Sequence, residues 1–221
     1  MAEVSKIREL ARKLNLMNVA NGVIDINNEV VSNKEYLQKI LEEELDIRYQ
    51  NKIKELKSDS HLPNKEFDHS KITKGLEWQL NRIKQIDFKN NNQNIIIVGE
   101  CSSGKTALAA EIGNAMILKE AKVKYVTIDN LLFIKKAKPR QWNMILKSDC
   151  LIIDELFYIT PTYDELLETY RTLIFLSETR SIVLITNRDL SEWKDMQVDT
   201  HLVEILKARL MSEAQLIHLK K

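Results

Sequence analysis

The chain has 221 residues, of which 44% are hydrophobic and 29% charged, and its formal net charge is +1. This composition is typical of one or two globular domains, and the balanced charge argues against a uniformly basic, nucleic-acid-coating protein. Glycine and proline are scarce, with five and three residues. Their scarcity excludes collagen-like, linker-rich and low-complexity chains and favours a helix-rich fold.

The two cysteines, Cys101 and Cys150, are too few for a disulfide framework or a set of metal ligands. We expect free thiols in a reducing compartment. No apolar run approaches the roughly 18 residues that span a bilayer, and the first ten residues lack the apolar core of a secretory signal. We therefore expect a cytoplasmic protein without a membrane partner.

The first 70 residues predict an all-helical domain. Apolar side chains recur at helical spacing, first from Ile7 to Met17 and then from Leu37 to Leu56. The polar stretch 58–67 contains a proline and is a candidate linker. We therefore predict a helical N-terminal domain over residues 1–70 and a second domain over residues 71–221.

Short apolar runs of a different kind follow in the second domain. They are rich in β-branched residues, bounded by turn signals and separated by segments of helical character. Runs that are hydrophobic on both faces and alternate with helices predict a parallel sheet covered on both sides. The five predicted strands are Ile95–Val98, Val123–Ile128, Cys150–Ile153, Ile182–Ile185 and a final Gln215–Leu219. Thr162 and Glu165 predict a capping box that opens the helix before the fourth strand.

The eight residues GECSSGKT, numbered 99–106, fit the phosphate-loop pattern G-x-x-x-x-G-K-[ST] directly after the first strand. Glycines let the backbone turn and point its N–H groups at phosphate oxygens, and the following helix adds the positive end of its dipole. Lys105 is expected to reach the β- and γ-phosphates, and Thr106 to place its hydroxyl on Mg²⁺. The predicted ATP-binding residues are Gly99, Glu100, Cys101, Ser102, Ser103, Gly104, Lys105, Thr106 and Ala107.

The third strand ends in two carboxylates, Asp154 and Glu155. Asp154 is expected to hold Mg²⁺, usually through water, and Glu155 to polarise the water that attacks the γ-phosphate. On its own, such a pair more often marks the place where a buried strand ends at acidic residues on the surface. Because a phosphate loop lies upstream, the functional interpretation is favoured, and the adjacent glutamate indicates hydrolysis rather than binding alone.

Two further residues are candidates for the same reaction. Asn187 follows the fourth strand and is expected to contact the γ-phosphate and the attacking water; a turn-forming asparagine is the alternative. Arg209 lies on a predicted helix over Thr200–Met211, whose apolar residues face inward. It is a candidate arginine finger that reaches the γ-phosphate of a neighbouring subunit, although a solvated arginine is the usual case.

Basic residues concentrate in one segment. Residues 119–147 hold eight Lys and Arg against two acidic residues. Such a segment can neutralise DNA backbone phosphates without reading bases, and a solvated helix face explains it equally well. The candidate DNA contacts are Lys135, Lys136, Lys138 and Arg140.

Together these motifs resemble the IstB-like family of transposition helper ATPases, which is related to DnaC-type helicase loaders within the AAA+ class. The most specific part is distal. Residues 185–193, ITNRDLSEW, resemble the family's stretch around its sensor asparagine, and residues 199–210, DTHLVEILKARL, resemble its closing helix. The helix Tyr36–Lys57 and the segment 65–68 also match the family's leader region.

The resemblance implies an α/β P-loop NTPase of the AAA+ class, with a five-stranded parallel sheet flanked by helices and a small all-α N-terminal domain. It makes Asp154 and Glu155 the Walker B pair, Asn187 sensor 1 and Arg209 a finger that acts in trans. Because the chain ends soon after the last strand, we also expect no C-terminal helical lid.

The sequence departs from the family in two places. Glu100, Cys101 and Ser102 replace the middle of the usual phosphate loop, and Ala208 stands where the family commonly has aspartate. The first departure leaves both essential glycines in place. The second concerns the surroundings of Arg209 alone.

The resemblance further implies a Mg²⁺-dependent ATPase that forms an ATP-dependent homo-oligomer on duplex DNA, largely independent of sequence. It would engage a transposase through residues 1–70. The alternative is a DnaC-type loader that delivers a replicative helicase to single-stranded DNA. A third hypothesis is an ATP-binding scaffold that never hydrolyses its nucleotide.

Overall fold

The computed structural model describes residues 2–25, 33–71, 73–88, 91–196, 198–212 and 214–219. The chain divides into two compact units, Met1–Glu55 and Leu56–Lys221. The boundary between these units falls inside a long helix, whereas the domain boundary expected from the sequence lies after residue 70. The assignment of domains at residue 70 therefore stays a prediction.

Every regular element in the described part of the first unit is a helix, which confirms the all-helical N-terminal region. It contains α1 (Ala2–Lys13), α2 (Met17–Ala20) and most of α3 (Asn33–Ser60). Glu44 of α3, 1% exposed, accepts hydrogen bonds from the N–H groups of Asn18 and Val19 at 3.0 and 3.2 Å. Because the first N–H groups of a helix have no partner within it, this carboxylate caps α2.

The second unit holds one five-stranded sheet in which every strand pair is parallel, so the predicted fold class is confirmed. The strands are β1 (Asn94–Gly99), β2 (Val123–Thr127), β3 (Cys150–Asp154), β4 (Ser181–Thr186) and β5 (Ala214–Leu219). The flanking helices are α4 (Lys74–Gln85), α5 (Lys105–Leu118), α6 (Ile128–Ala137), α7 (Pro139–Leu146), α8 (Tyr163–Thr179) and α9 (Thr200–Met211). The strand order across the sheet is β2-β3-β4-β1-β5.

One predicted strand boundary is wrong. The second strand was expected to include Ile128, but α6 begins at that residue. The side chain of Thr127 accepts a hydrogen bond from the N–H of Asn130 at 3.4 Å, so Thr127 acts as the N-cap and ends the strand. The capping box of Thr162 and Glu165 at the start of α8 is confirmed.

The strand order positions the functional residues. The core strands are apolar on both faces, and Ile95, Ile96 and Ile97 of β1 are completely buried. Because β4 lies between β1 and β3 and all three run parallel, the loops after these strands leave the same edge of the sheet. No helix within the described residues is both long enough and apolar enough to cross a membrane.

Candidate nucleotide site

The phosphate loop needs its two glycines for different reasons. Gly104, the N-cap of α5, has a φ of +94°, which residues that carry a side chain rarely adopt. A Cβ on Gly99 would lie 2.5 Å from the main-chain oxygen of Leu219 on β5, so the close approach of two strands excludes a side chain there. Ser102 also has a left-handed φ, +65°, so the altered loop holds a residue with a side chain in a conformation that glycine adopts more easily.

Lys105 is the first residue of α5 and only 9% of it is exposed. Its ammonium donates hydrogen bonds to the main-chain oxygens of Gly99 and Glu100 at 2.7 and 2.6 Å. Burial lowers the pKa of Lys105, while the nearby Cys101 and Asp154 raise it. A buried ammonium whose hydrogen-bond partners are neutral carbonyls fits a phosphate anion in the loop.

The phosphate loop and the third strand meet at Asp154, which is 7% exposed. Its Oδ2 accepts hydrogen bonds from the hydroxyls of Thr106 at 2.8 Å and Tyr125 at 2.7 Å. Its Oδ1 accepts one from the N–H of Glu155 at 2.7 Å. A hydroxyl beside a carboxylate is the oxygen set that Mg²⁺ prefers when it also keeps waters and phosphate oxygens. The residues present therefore fit Mg²⁺ with ATP.

Glu155 lies at the edge of the sheet and is exposed, with a φ of +62°. The next N–H, of Leu156, donates to the main-chain oxygen of Ile185 on β4 at 3.0 Å. This bond ties the loop after β3 to the strand that precedes Asn187. Burial and hydrogen bonding to Asp154 raise the pKa of Tyr125, so its hydroxyl stays a donor.

Asn187 directly follows β4 and lies beside the phosphate loop. Its Nδ2 is 3.7 Å from Sγ of Cys101. The buried Oδ1 of Asn187 and Oγ of Ser103 have no hydrogen-bond partner among the described residues. Because buried polar atoms in folded proteins are rarely left unpaired, these two oxygens indicate where a ligand or its water binds.

Two residues of the site were missed by the sequence analysis, Tyr125 and Arg188. Arg188 donates from Nε to the main-chain oxygen of Phe157 at 2.8 Å and from a terminal nitrogen to the Thr160 hydroxyl at 3.0 Å. It therefore joins the loop after Glu155 to the one that carries Asn187. Tyr125 belongs to no motif, and only the strand order brings it to the site. Arg188 lies within the stretch 185–193 that resembles the family, directly after Asn187, but its bonds to the loop after β3 are visible only in the structure.

Arg209 is not brought together with the other site residues. It is exposed, and its guanidinium lies 3.9 Å from the carboxylate of Glu178 on α8. It lines a surface cavity together with Asn94, the first residue of β1. The phosphate loop leaves the other end of that strand.

The four candidate DNA contacts differ in their surroundings. Lys135 donates hydrogen bonds to Glu168 at 2.7 Å and to the Thr172 hydroxyl at 3.0 Å, both on α8. The other three residues are exposed, and the Lys138 ammonium lies 5.0 Å from the centre of the Phe133 ring. The exposed residues are Lys136, Lys138 and Arg140.

The family described as IstB-like ATP binding protein matches residues 9–221. The chain belongs to this family. The ATP-binding protein of insertion sequence IS232 from Bacillus thuringiensis subsp. berliner is 27% identical over 97% of this chain and 88% of its own length. The ATP-binding protein of insertion sequence IS21 from Pseudomonas aeruginosa is 25% identical over 85% of this chain and 74% of its own length.

Among solved structures, the DnaC helicase loader superposes with a TM-score of 0.52, at 14% identity, over 76% of this chain and 99% of that one. At this identity the likeness shows the fold alone. The IstB-like chain thus shares its fold with that loader, and the resemblance to the IstB-like family drawn from its sequence is confirmed.

Proposed function

We propose that this IstB-like protein is a Mg²⁺-dependent ATPase that assembles as a homo-oligomer on DNA and acts with a transposase. The observation that carries the proposal is the 2.8 Å hydrogen bond from Thr106 to Asp154, which joins the phosphate loop to the carboxylate strand. Glu155, the candidate base, follows directly on that strand. The membership in an ATP-binding family supports the same nucleotide.

Each residue of the site has a definite task in this reaction. The loop N–H groups bind the phosphates, and the Lys105 ammonium leaves its two carbonyl partners for oxygens of the β- and γ-phosphates. Thr106 and Asp154 would hold Mg²⁺, which when bound would supply neutralisation of phosphate charge. Glu155 accepts the proton of the attacking water, and Asn187 orients that water with its unpaired oxygen.

The transposition role rests on the relatives, which are ATP-binding proteins of insertion sequences. We assign the contact with duplex DNA to the basic segment and the contact with the transposase to residues 1–70. The free thiols of Cys101 and Cys150 support a cytoplasmic location. The alternative function is that of a DnaC-type loader, which delivers a helicase, but the likeness to that loader extends to the fold and no further.

The substitution Glu155→Gln tests the ATPase. We expect ATP binding to be unchanged and ATP hydrolysis to fall at least about 100-fold, because a positioned base contributes that much or more. Calorimetry measures binding, and phosphate release measures hydrolysis. Glu204→Gln, an exposed glutamate on α9, is the control and should hydrolyse ATP normally. Rates at the background level in both Glu155→Gln and the wild type would support the scaffold that never hydrolyses ATP, and equal rates above background would exclude Glu155 as the base.

The partner is tested separately with the full chain and duplex or single-stranded DNA. We expect ATP-dependent retention of a purified insertion-sequence transposase and a preference for duplex DNA. Retention of a purified replicative helicase, together with a preference for single strands, would favour the loader.

A further inference from the structure

Tyr125 lies on the strand next to the one that ends in Asp154. The parallel register of β2 and β3 places Tyr125 opposite Ile152 and Thr127 opposite Asp154. Side chains at positions two apart on a strand share a face, so Ile152 and Asp154 lie on the same face of the sheet. Tyr125, opposite Ile152, therefore lies on that face too, two residues before the position opposite Asp154. The tyrosine side chain is long enough to span these two residues, and its hydroxyl lies 2.7 Å from Oδ2 of Asp154.

The Asp154 carboxylate is held by three donors that differ in kind. The Thr106 hydroxyl belongs to the phosphate loop, and the Glu155 N–H belongs to the backbone next to Asp154. In the described part of the chain, Tyr125 is the one side chain outside the phosphate loop that donates to Asp154. It is half-buried, so its hydrogen bond is partly shielded from competing water.

We propose that Tyr125 is a positioning residue for Mg²⁺, and this inference rests on the proposed ATPase function. Its hydroxyl fixes the Asp154 carboxylate in the orientation that accepts the Thr106 hydroxyl. The oxygens of Thr106 and Asp154 that would bind Mg²⁺ are then already in place. Without the Tyr125 hydroxyl, two of the three donors remain, so the carboxylate is held less firmly and binding of the ion must complete its ordering.

The substitution Tyr125→Phe removes one oxygen and keeps the ring. ATP binding is measured by calorimetry over a series of Mg²⁺ concentrations and again without Mg²⁺ in the presence of a chelator. We expect the Mg²⁺ concentration for half-maximal enhancement of binding to rise about 10-fold or more, the usual effect of losing a partner of a metal ligand. Binding without Mg²⁺ should be unchanged, because the loop backbone and Lys105 hold the phosphates.

Tyr163→Phe is the matched control, because Tyr163 is 54% exposed and lies at the start of α8. It should leave the Mg²⁺ midpoint unchanged. Thermal unfolding of both variants without nucleotide checks their folding. A Tyr125→Phe protein with a lower melting temperature and a wild-type Mg²⁺ midpoint would show a structural role and overturn the inference.

A double variant tests whether Tyr125 acts through Asp154. In an Asp154→Ala protein, which should already need more Mg²⁺, adding Tyr125→Phe should cause no further change in the midpoint. A further rise would mean that Tyr125 acts elsewhere and would overturn the inference. Wild-type protein that binds no ATP at any Mg²⁺ concentration would instead overturn the proposed function itself.

Discussion

Arg209 and Asn94 line the same surface cavity, at the end of the sheet opposite the phosphate loop. Asn94 begins β1 and Gly99 ends it, and six residues of strand span roughly 16 Å at about 3.3 Å per residue. Arg209 is thus far from a phosphate held by the loop of its own chain. A role for Arg209 at a γ-phosphate therefore requires a second copy of the chain.

Arg209→Ala should retain ATP binding and lose ATP hydrolysis by about 10³-fold, the lower range for an arginine finger. The decisive measurement mixes this variant with Lys105→Ala, which keeps the arginine but loses nucleotide binding. In mixed assemblies an intact Lys105 site faces an intact Arg209, so we expect hydrolysis to recover. Phosphate release is measured as a function of the mixing ratio.

Arg171→Ala is the control for this experiment, because Arg171 is also exposed and lies on the neighbouring helix α8. It should hydrolyse ATP at the wild-type rate. If Arg209→Ala alone shows normal turnover, the residue is a solvated arginine. If turnover is lost and the mixture does not recover although the two variants co-assemble on DNA, a trans-acting finger is excluded.

The exposed part of the basic segment should set the salt dependence of DNA binding. Each phosphate contact contributes about 0.9 to the slope of log affinity against log salt concentration. Replacing three cationic side chains by alanine should reduce the slope by about 3 and weaken binding equally for different duplex sequences. The replaced residues are Lys136, Lys138 and Arg140. An unchanged slope would mean that DNA binds elsewhere.

Lys135→Ala is the matched control within the same segment, because its ammonium already binds Glu168. It should leave the salt slope unchanged.

The hydrogen bond from Lys135 lowers the pKa of Glu168 below its ordinary 4.5, so this pair stabilises the fold above that pH and loses its effect as the pH falls. Removing Lys135 should lower stability near neutral pH by less than about 1 kcal/mol and have little effect in strong acid.

The phosphate loop and the strands were predictable because their signals are local. A glycine pattern between an apolar run and a helix needs no knowledge of distant residues, and neither does the Asp154–Glu155 pair at a strand end. The error at Ile128 lies where two favourable local states compete and the hydroxyl of Thr127 decides in favour of the helix.

The contact of Tyr125 with Asp154 and the hydrogen bond of Lys135 to Glu168 were not predictable, because both depend on which elements are neighbours. Periodicity gives the strands but not the order β2-β3-β4-β1-β5 that places Tyr125 beside Asp154. The four basic residues of the segment look alike in sequence. Only the packing of α6 on α8 distinguishes Lys135, whose acceptor Glu168 lies 33 positions away.

Gly104→Ala and Gly75→Ala should have opposite effects on stability. Alanine at 104 must adopt a φ of +94° and place its Cβ 3.2 Å from the Phe67 ring. We expect it to lower the free energy of unfolding by about 1–2 kcal/mol and to abolish ATP binding, since the loop N–H groups lose their direction. Gly75 has open space where a Cβ would lie and sits in the first turn of α4, so alanine should stabilise by up to about 1 kcal/mol and leave ATP binding intact. Urea unfolding and ATP calorimetry measure both effects, and full ATP affinity in Gly104→Ala would contradict the role of this glycine in the phosphate loop.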